Sequence, residues 1–362
     1  MKSLAIALFN AGNRTYGLGE FEYSLGSRIA RRRKELESHG IRLTMLVNPD
    51  DVGLFGDDVE YMAISRKERK EANSWRGRLS RKRILDGFDL VHLTNQRPSI
   101  KRPGCKILMT VHDLNFLHNR ISPIRRWRKR LRTRRDIARA DALVYISQFT
   151  RTDVERTYHP HVPDRVIYNG ATDLSDAPQA AVEGLPPENF LLHISRMGPK
   201  KNVHLLVEMM KHLPEEHLVI MGSAHKSYRR RLEKIVEREG LTNVHFAGRV
   251  SDAEKTWGLT HCRGLLFPSM SEGFGLPVVE AMYCGKPVFL APYTSLPEVG
   301  GGEAYYFTKL EPEEMARTVK KGLADMAAQP EKASRLRNHA QKFSWDRAAD
   351  EYISLYIDLL GE

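Results

Sequence analysis

Short apolar runs alternate with longer stretches of helical period along the whole chain. In the first half the runs are Leu4–Phe9, Arg42–Val47, Asp89–Thr94, Lys106–His112 and Ala142–Ile146, with helical segments around 18–38 and 122–140. In the second half they are Phe190–Ser195, Leu218–Met221, Val244–Phe246, Gly264–Phe267, Pro287–Leu290 and Ala304–Phe307. Helices are expected there at about 202–212, 226–239, 252–260, 277–284 and 311–328. Brief apolar runs without polar alternation mark strands buried on both faces. Their alternation with helices predicts parallel sheets covered on both sides, with ligands at the carboxyl ends of the strands. Leu174–Asn189 is rich in Pro, Ala, Glu and Asp and has no period, which marks a linker between two such sheets. After Ser344, a fair N-cap, apolar residues at Ala349, Ile353, Tyr356, Leu359 and Leu360 predict a closing helix.

The length of 362 residues accommodates two domains of ordinary size. The start, Met1 to Phe9, reads as a first buried strand rather than a signal peptide, and no run reaches the length of a membrane-spanning helix. Cys105, Cys262 and Cys284 are scattered, which argues for a reducing compartment and against a disulfide frame or a zinc site. The net charge of +12 is uneven. Residues 1–180 hold 34 Lys+Arg against 21 Asp+Glu, and residues 181–362 hold 23 against 24. The first half therefore faces something anionic: a membrane surface, an anionic glycolipid or nucleic acid.

Two stretches carry much of that charge. Residues 66–83 include Arg66, Lys67, Arg69, Lys70, Arg76, Arg78, Arg81, Lys82 and Arg83 around Trp75, and read as a loop or a solvated surface helix. Residues 120–139 hold Arg120, Arg125, Arg126, Arg128, Lys129, Arg130, Arg132, Arg134, Arg135 and Arg139. There Ile124, Trp127, Leu131 and Ala138 share one face at helical period, so the stripe is expected to pack on the protein while the arginines face lipid phosphates. Each basic residue near an anionic surface contributes about 1 kcal/mol. A nucleic-acid-binding protein is the rival reading, but the basic runs contain few aromatics and no binding module.

The densest chemistry lies in Phe267–Leu290. An apolar strand leads to a loop with Gly273 and Gly275, then to a helix opened by Pro277 and stopped at Gly285. Glycines let the backbone approach a ligand, and the helix N-terminus attracts anions. Glu272 and Glu280 bracket the loop and could accept hydrogen bonds from sugar hydroxyls. Acidic residues at such a turn can equally be compensating the helix dipole. Arg196 and Lys201 follow the first strand of the second half, and Lys201 lies near a helix N-terminus. A cation there opposes the dipole unless an anion comes between, which favours a diphosphate clamp. His112 ends an apolar strand, where active-site groups collect, although a lone histidine is often only a structural hydrogen-bonder.

Glu-Gly-Phe-Gly-Leu-Pro at 272–277, with Glu280 eight residues beyond Glu272, resembles the Glu-x7-Glu signature of retaining glycosyltransferases of family 4. The resemblance runs through nearly the full chain in order: Gly17 and Gly19 after the first strand, His112, Asn169-Gly170, Arg196 with Lys201, Val250 and the closing helix. It implies an α/β GT-B fold, two Rossmann-like doubly wound parallel-sheet domains facing across a cleft. The domains would be 1–175, binding the acceptor, and 190–340, binding the donor, with 341–362 crossing back to the first.

It further implies that Glu272 and His112 are catalytic, His112 donating to a sugar hydroxyl or to developing charge. Arg196, Lys201, Gly17, Gly275 and Leu276 would bind the donor diphosphate. Glu272, Gly273, Phe274, Glu280 and Val250 would hold the sugar and nucleotide, Val250 through backbone groups. The reaction implied is transfer of a hexose, with retention, from a nucleotide diphosphate sugar. GDP-mannose is favoured over a UDP-hexose, and the acceptor would be a membrane-associated glycolipid or saccharide of lipopolysaccharide or envelope polysaccharide synthesis. No cofactor is expected, and no metal, since no Asp-x-Asp triplet occurs. The location implied is cytoplasmic, peripheral on the inner face of the cytoplasmic membrane. Another GT-B enzyme, such as a sugar-nucleotide epimerase, stays open as an alternative.

Overall fold

A computed structural model describes residues 1–74, 84–98, 100, 105–118, 121–174 and 176–361. It divides into two compact units, Met1–Gly170 with Trp345–Glu362, and Ala171–Ser344. The division falls between Gly170 and Ala171, so the Pro- and Ala-rich stretch that follows belongs to the second unit.

The first unit is built on β1 (Lys2–Ala7), β2 (Ile41–Val47), β3 (Glu60–Ala63), β4 (Leu90–Leu93), β5 (Lys106–Val111), β6 (Ala142–Tyr145) and β7 (Asp164–Val166). All pair in parallel in the order β3-β2-β1-β4-β5-β6-β7. Its helices are α1 (Gly17–Arg31), α2 (Arg33–Ser38), α3 (Arg66–Ala72), α4 (Asn115–His118), α5 (Pro123–Ile137) and α6 (Gln148–Tyr158). The order reverses between β1 and β4, and loops that follow these two strands therefore meet at a switch point. Gly19 in α1 is obligatory, because a Cβ there would lie 1.8 Å from the Asn13 carbonyl oxygen.

The second unit repeats the plan with β8 (Phe190–Ile194), β9 (His217–Met221), β10 (Val244–Gly248), β11 (Gly264–Phe267), β12 (Val288–Leu290) and β13 (Tyr305–Tyr306), in the order β10-β9-β8-β11-β12-β13. Its helices are α7 (Val203–Met209), α8 (Lys226–Arg238), α9 (Asp252–His261), α10 (Leu276–Tyr283), α11 (Leu296–Gly300), α12 (Pro312–Ala328) and α13 (Lys332–Ala340). The switch point lies between β8 and β11.

The last helix, α14 (Trp345–Gly361), belongs to the first unit. It is anchored by a buried polar chain. Tyr356 Oη lies 2.7 Å from His92 Nδ1, His92 Nε2 lies 2.8 Å from Thr110 Oγ1, and Thr110 Oγ1 lies 2.8 Å from Tyr352 Oη. Such a network satisfies every polar group it buries and so fixes the register of the helix on the sheet.

Two expectations about the basic stretches are corrected. Ile124 and Trp127 do not pack on the protein; they are 67% and 61% exposed. The face of α5 that is buried is Thr133, Asp136 and Ile137, near its C-terminus. In the run 66–83, Arg69 is not solvated but buried on α3. Trp75, Arg76, Arg78, Arg81, Lys82 and Arg83 lie outside the described residues, as does Arg120. Among the described residues, no helix is long and apolar enough to cross a membrane.

Candidate functional site

In the second unit the loop after β8 is tied to the loop after β11. The Asn202 side-chain amide donates to the Pro268 carbonyl at 3.0 Å, and the Met270 amide donates to the Lys200 carbonyl at 2.8 Å. Beneath them His193 is buried between β-strand neighbours. Its Nδ1 lies 2.8 Å from the Leu266 carbonyl, which can only accept, so Nδ1 carries the proton and Nε2 accepts from the Ser195 hydroxyl at 2.8 Å. Burial holds the His193 pKa down at about 4, so the ring stays neutral. This histidine was not singled out in the sequence, where it reads as one polar residue in an apolar strand.

The result of this bracing is a close pair. Lys201 Nζ donates to the Glu272 carboxylate, and both side chains are largely buried. Burial opposes the charge of Glu272, but the Lys201 ammonium prevails and holds the carboxyl below its usual pKa. Lys201 also lies 5.1 Å from the centroid of the Phe267 ring. The ammonium keeps further N–H donors, and the carboxylate keeps lone pairs. Together they can take a phosphate oxygen on one side and a hydroxyl on the other. Arg196, on the same loop after β8, is exposed.

The backbone of the Glu272 loop is held by the loop after β12. The Glu272 amide donates to Thr294 Oγ1 at 3.0 Å, and Ser295 Oγ lies 3.2 Å and 3.0 Å from the Glu272 and Phe274 carbonyls. Gly275 has a φ of 113°, which a side chain would strain, and it places Leu276 as the first residue of α10. The Leu276 amide thus opens the helix with its N–H directed out of the helical ladder. Phe274 is buried, its ring edge-on to Phe343 at 5.5 Å. Its side chain belongs to the core, so a ligand can meet only the backbone at that position. Gly273 adjoins it, half-buried.

Glu280 lies one turn into α10, buried, with Lys255 Nζ of α9 at 2.9 Å from its Oε1. Lys255 was not anticipated, since 25 residues separate the partners and nothing in the local pattern joins them. Val250, half-buried after β10, precedes Ser251, which caps α9 through a capping box with Glu254.

In the first unit a cleft of about 400 Å³ lies at the switch point and is lined by Phe9, Asn10, Leu18, Arg69, Asn95, Gln96, Arg97, His112 and Asp113. His112 Nε2 lies 2.8 Å from the Thr94 carbonyl. A carbonyl only accepts, so Nε2 carries the ring proton. Burial, outweighing that carbonyl, holds the pKa below the usual imidazole value. The neutral ring therefore offers Nδ1 as an acceptor, which corrects the expectation of a donor. Its ring meets Phe21 edge-on at 4.7 Å, and its amide donates to Gln96 Oε1 at 3.1 Å. Gly17 begins α1, exposed, with nothing within 4 Å of where a Cβ would be. His112 and Gly17 belong to the first unit and the remaining candidate residues to the second.

The sequence matches two family models in tandem: Glycosyltransferase Family 4 over residues 26–173 and Glycosyl transferases group 1 over residues 178–343. The chain is similar to the serotype-specific mannosyltransferase WbdA of Escherichia coli, with 31% identity over 242 residues, covering 62% of this chain and 30% of WbdA. It is also similar to the O-antigen chain mannosyltransferase B of Escherichia coli, 28% identical over 233 residues, covering 60% of each. The match thus spans between about a third and three fifths of these relatives' own length. The structure resembles HepE of Anabaena in complex with UDP and glucose, with a TM-score of 0.73 at 19% identity, covering 98% of this chain and 99% of that one. That is a likeness of fold.

Proposed function

Because the chain belongs to the family 4, group 1 glycosyltransferases of GT-B fold, we propose that it transfers a hexose, with retention, from a nucleotide diphosphate sugar to a membrane-associated glycolipid or saccharide. The observation that carries the reading is the group at the carboxyl ends of β8 and β11: Arg196, the Lys201–Glu272 pair and the Leu276 amide. Cations and a helix N-terminus beside a carboxylate suit a diphosphate attached to a sugar. Arg196, Lys201 and the amides around Gly275 and Leu276 stabilise the leaving diphosphate, the charge that grows in the transition state. Gly17, on the first unit, offers a bare backbone for a donor phosphate. Glu272 orients the sugar through its hydroxyls, with Gly273 and Phe274 contributing backbone. Glu280 accepts from the ribose, and Val250 borders the base. His112 accepts from a sugar hydroxyl through Nδ1. The acceptor hydroxyl loses its proton to the departing phosphate on the face it attacks.

GDP-mannose is the favoured donor, in keeping with relatives named as mannosyltransferases, and a UDP-hexose is the alternative, in keeping with HepE in complex with UDP. The acceptor belongs to lipopolysaccharide or envelope polysaccharide synthesis, and the protein works on the inner face of the cytoplasmic membrane. Exposed Ile124 and Trp127 among the arginines of α5 support that docking. A panel of GDP- and UDP-sugars tested by thermal shift identifies the donor, since a ligand that binds only the folded state raises Tm with concentration. A flat response to every nucleotide sugar would sink the reading.

A further inference from the structure

The cleft of the first unit holds a charge for which the proposed transfer has no use. Arg69 is 7% exposed. One Nη donates to the Ile64 carbonyl, the other lies 2.9 Å from Asn48 Oδ1, and the guanidinium carbon sits 3.9 Å from the centroid of the Phe9 ring. All three partners are neutral. Among the described residues, two of its five N–H groups are committed. Among the described residues, no carboxylate forms an ion pair with it. A buried cation without a counter-charge is costly unless something anionic completes the site.

Two acids attract it without forming an ion pair: Glu68, exposed on α3 and engaged in capping that helix, and Glu22, fully buried on α1. Asn10 donates to both of its oxygens, at 2.6 Å from the amide and 2.7 Å from the side chain. Thr94 Oγ1 lies 2.8 Å from Glu22 Oε1 and 2.6 Å from the Ala7 carbonyl. A threonine hydroxyl has one proton and faces two acceptors here. Both contacts become hydrogen bonds when Glu22 brings a proton of its own. Burial works the same way, pushing the Glu22 carboxyl up to about 7. Below about pH 7 Glu22 is protonated and leaves the charge of Arg69 standing.

Arg69 lines the same cleft as His112 and as Arg97, an exposed second guanidinium 6.0 Å from the Phe116 ring centroid. Asp113, whose Oδ1 accepts from the Asn115 amide at 2.8 Å, also lines it and sets one carboxylate against the two guanidiniums. We propose that Arg69 and Arg97 form an anion subsite beside His112 that takes a phosphate group carried by the acceptor. This rests on the reading of the first unit as the acceptor domain. Two guanidiniums grip tetrahedral oxyanions through several parallel N–H donors. The subsite would fix the acceptor on the first unit by its phosphate.

The test is calorimetric titration of the full chain with inorganic phosphate and, separately, with acetate at low ionic strength. It compares wild type with Arg97→Gln, Arg69→Gln and Arg196→Gln, and GDP and UDP are titrated in parallel. Arg97 is exposed, so its variant folds even where Arg69→Gln does not. The expected result is phosphate binding that Arg97→Gln weakens about tenfold or more, one charge-assisted contact being lost, with nucleotide affinity unchanged. Phosphate binding that survives both Arg97→Gln and Arg69→Gln and vanishes in Arg196→Gln would overturn the subsite and leave the transferase reading intact. Acetate bound as tightly as phosphate would overturn the phosphate assignment in favour of a carboxylate. Arg97-dependent phosphate binding without any nucleotide binding would support the subsite and reject the transferase reading.

Discussion

Replacing Glu22 with glutamine isolates the consequence of burying a carboxyl at the switch point of the first sheet. The carboxyl is raised from an ordinary value of 4.5 to about 7, chiefly by burial, which outweighs the hydrogen bonds from Asn10 and Thr94. At about 1.36 kcal/mol per pH unit, that difference corresponds to roughly 3 kcal/mol. The unfolded chain ionises Glu22 once the pH exceeds 4.5, whereas the folded chain does so only near 7. Folding stability from this group is therefore complete in acid, falls as the pH rises through that window, and is level above it. Glutamine cannot ionise; with its amide at the Oε1 position it donates to Thr94 and its carbonyl accepts from the Asn10 main-chain amide, while Asn10 Nδ2 loses its acceptor. Relative to its standing in acid, where that loss alone shows, Glu22→Gln should gain on wild type by roughly 3 kcal/mol between about pH 4.5 and 8.

His92 runs the other way. It is fully buried, and its pKa is pushed down from 6.5 to about 3 by burial, then by His112. Its contribution is complete above 6.5 and is lost as the pH falls below that value. The wild-type profile mixes the two groups, so the difference between variant and wild type is the quantity to follow. Urea unfolding monitored by circular dichroism supplies it. A difference that stays constant across the pH range would refute a neutral, buried Glu22.

Trp127→Ala should leave stability within about 0.5 kcal/mol, the side chain being exposed, and should cut co-flotation with anionic phosphatidylglycerol vesicles several-fold. Unchanged flotation would reject α5 as the membrane contact. Lys255→Met leaves the Glu280 carboxylate buried without its cation. It should destabilise the second unit by up to about 3 kcal/mol and raise KM for the nucleotide sugar with little change in kcat. A fall in kcat alone would contradict a ribose-binding role for Glu280. Glu272→Gln removes the charge beside Lys201 and should lower kcat at least about a hundredfold if the carboxylate orients the reacting sugar; retained turnover would remove Glu272 from the mechanism.

The central strands were legible because they are buried on both faces and therefore read as unbroken apolar runs. The strands that escaped, β3 and β7, are the two edges of the first sheet, and their residues are only partly buried. An edge strand needs no apolar run, so Glu-Tyr-Met-Ala and Asp-Arg-Val carry no signal. The α5 stripe stays uncovered for a related reason. Apolar residues on a helix imply a covered face only where that face meets the core, and α5 reaches the core near Ile137, after Ile124 and Trp127 have passed. The loop residues Arg196, Lys201 and Glu272 could be named because each stands just past a strand. Their second layer could not. His193, Thr294, Lys255, Asn10 and Thr94 act through contacts between distant segments, and Arg69 was hidden in a basic run that composition alone reads as surface.

The most direct test of the account is the affinity of the full chain for GDP and UDP, measured by calorimetry in wild type, Arg196→Gln and Arg97→Gln. One of the two nucleotides should bind, Arg196→Gln should weaken it about tenfold or more through loss of a charge-assisted phosphate contact, and Arg97→Gln should leave it alone. Equal affinity in wild type and Arg196→Gln, or no binding of either nucleotide, would contradict a diphosphate site at the carboxyl ends of β8 and β11.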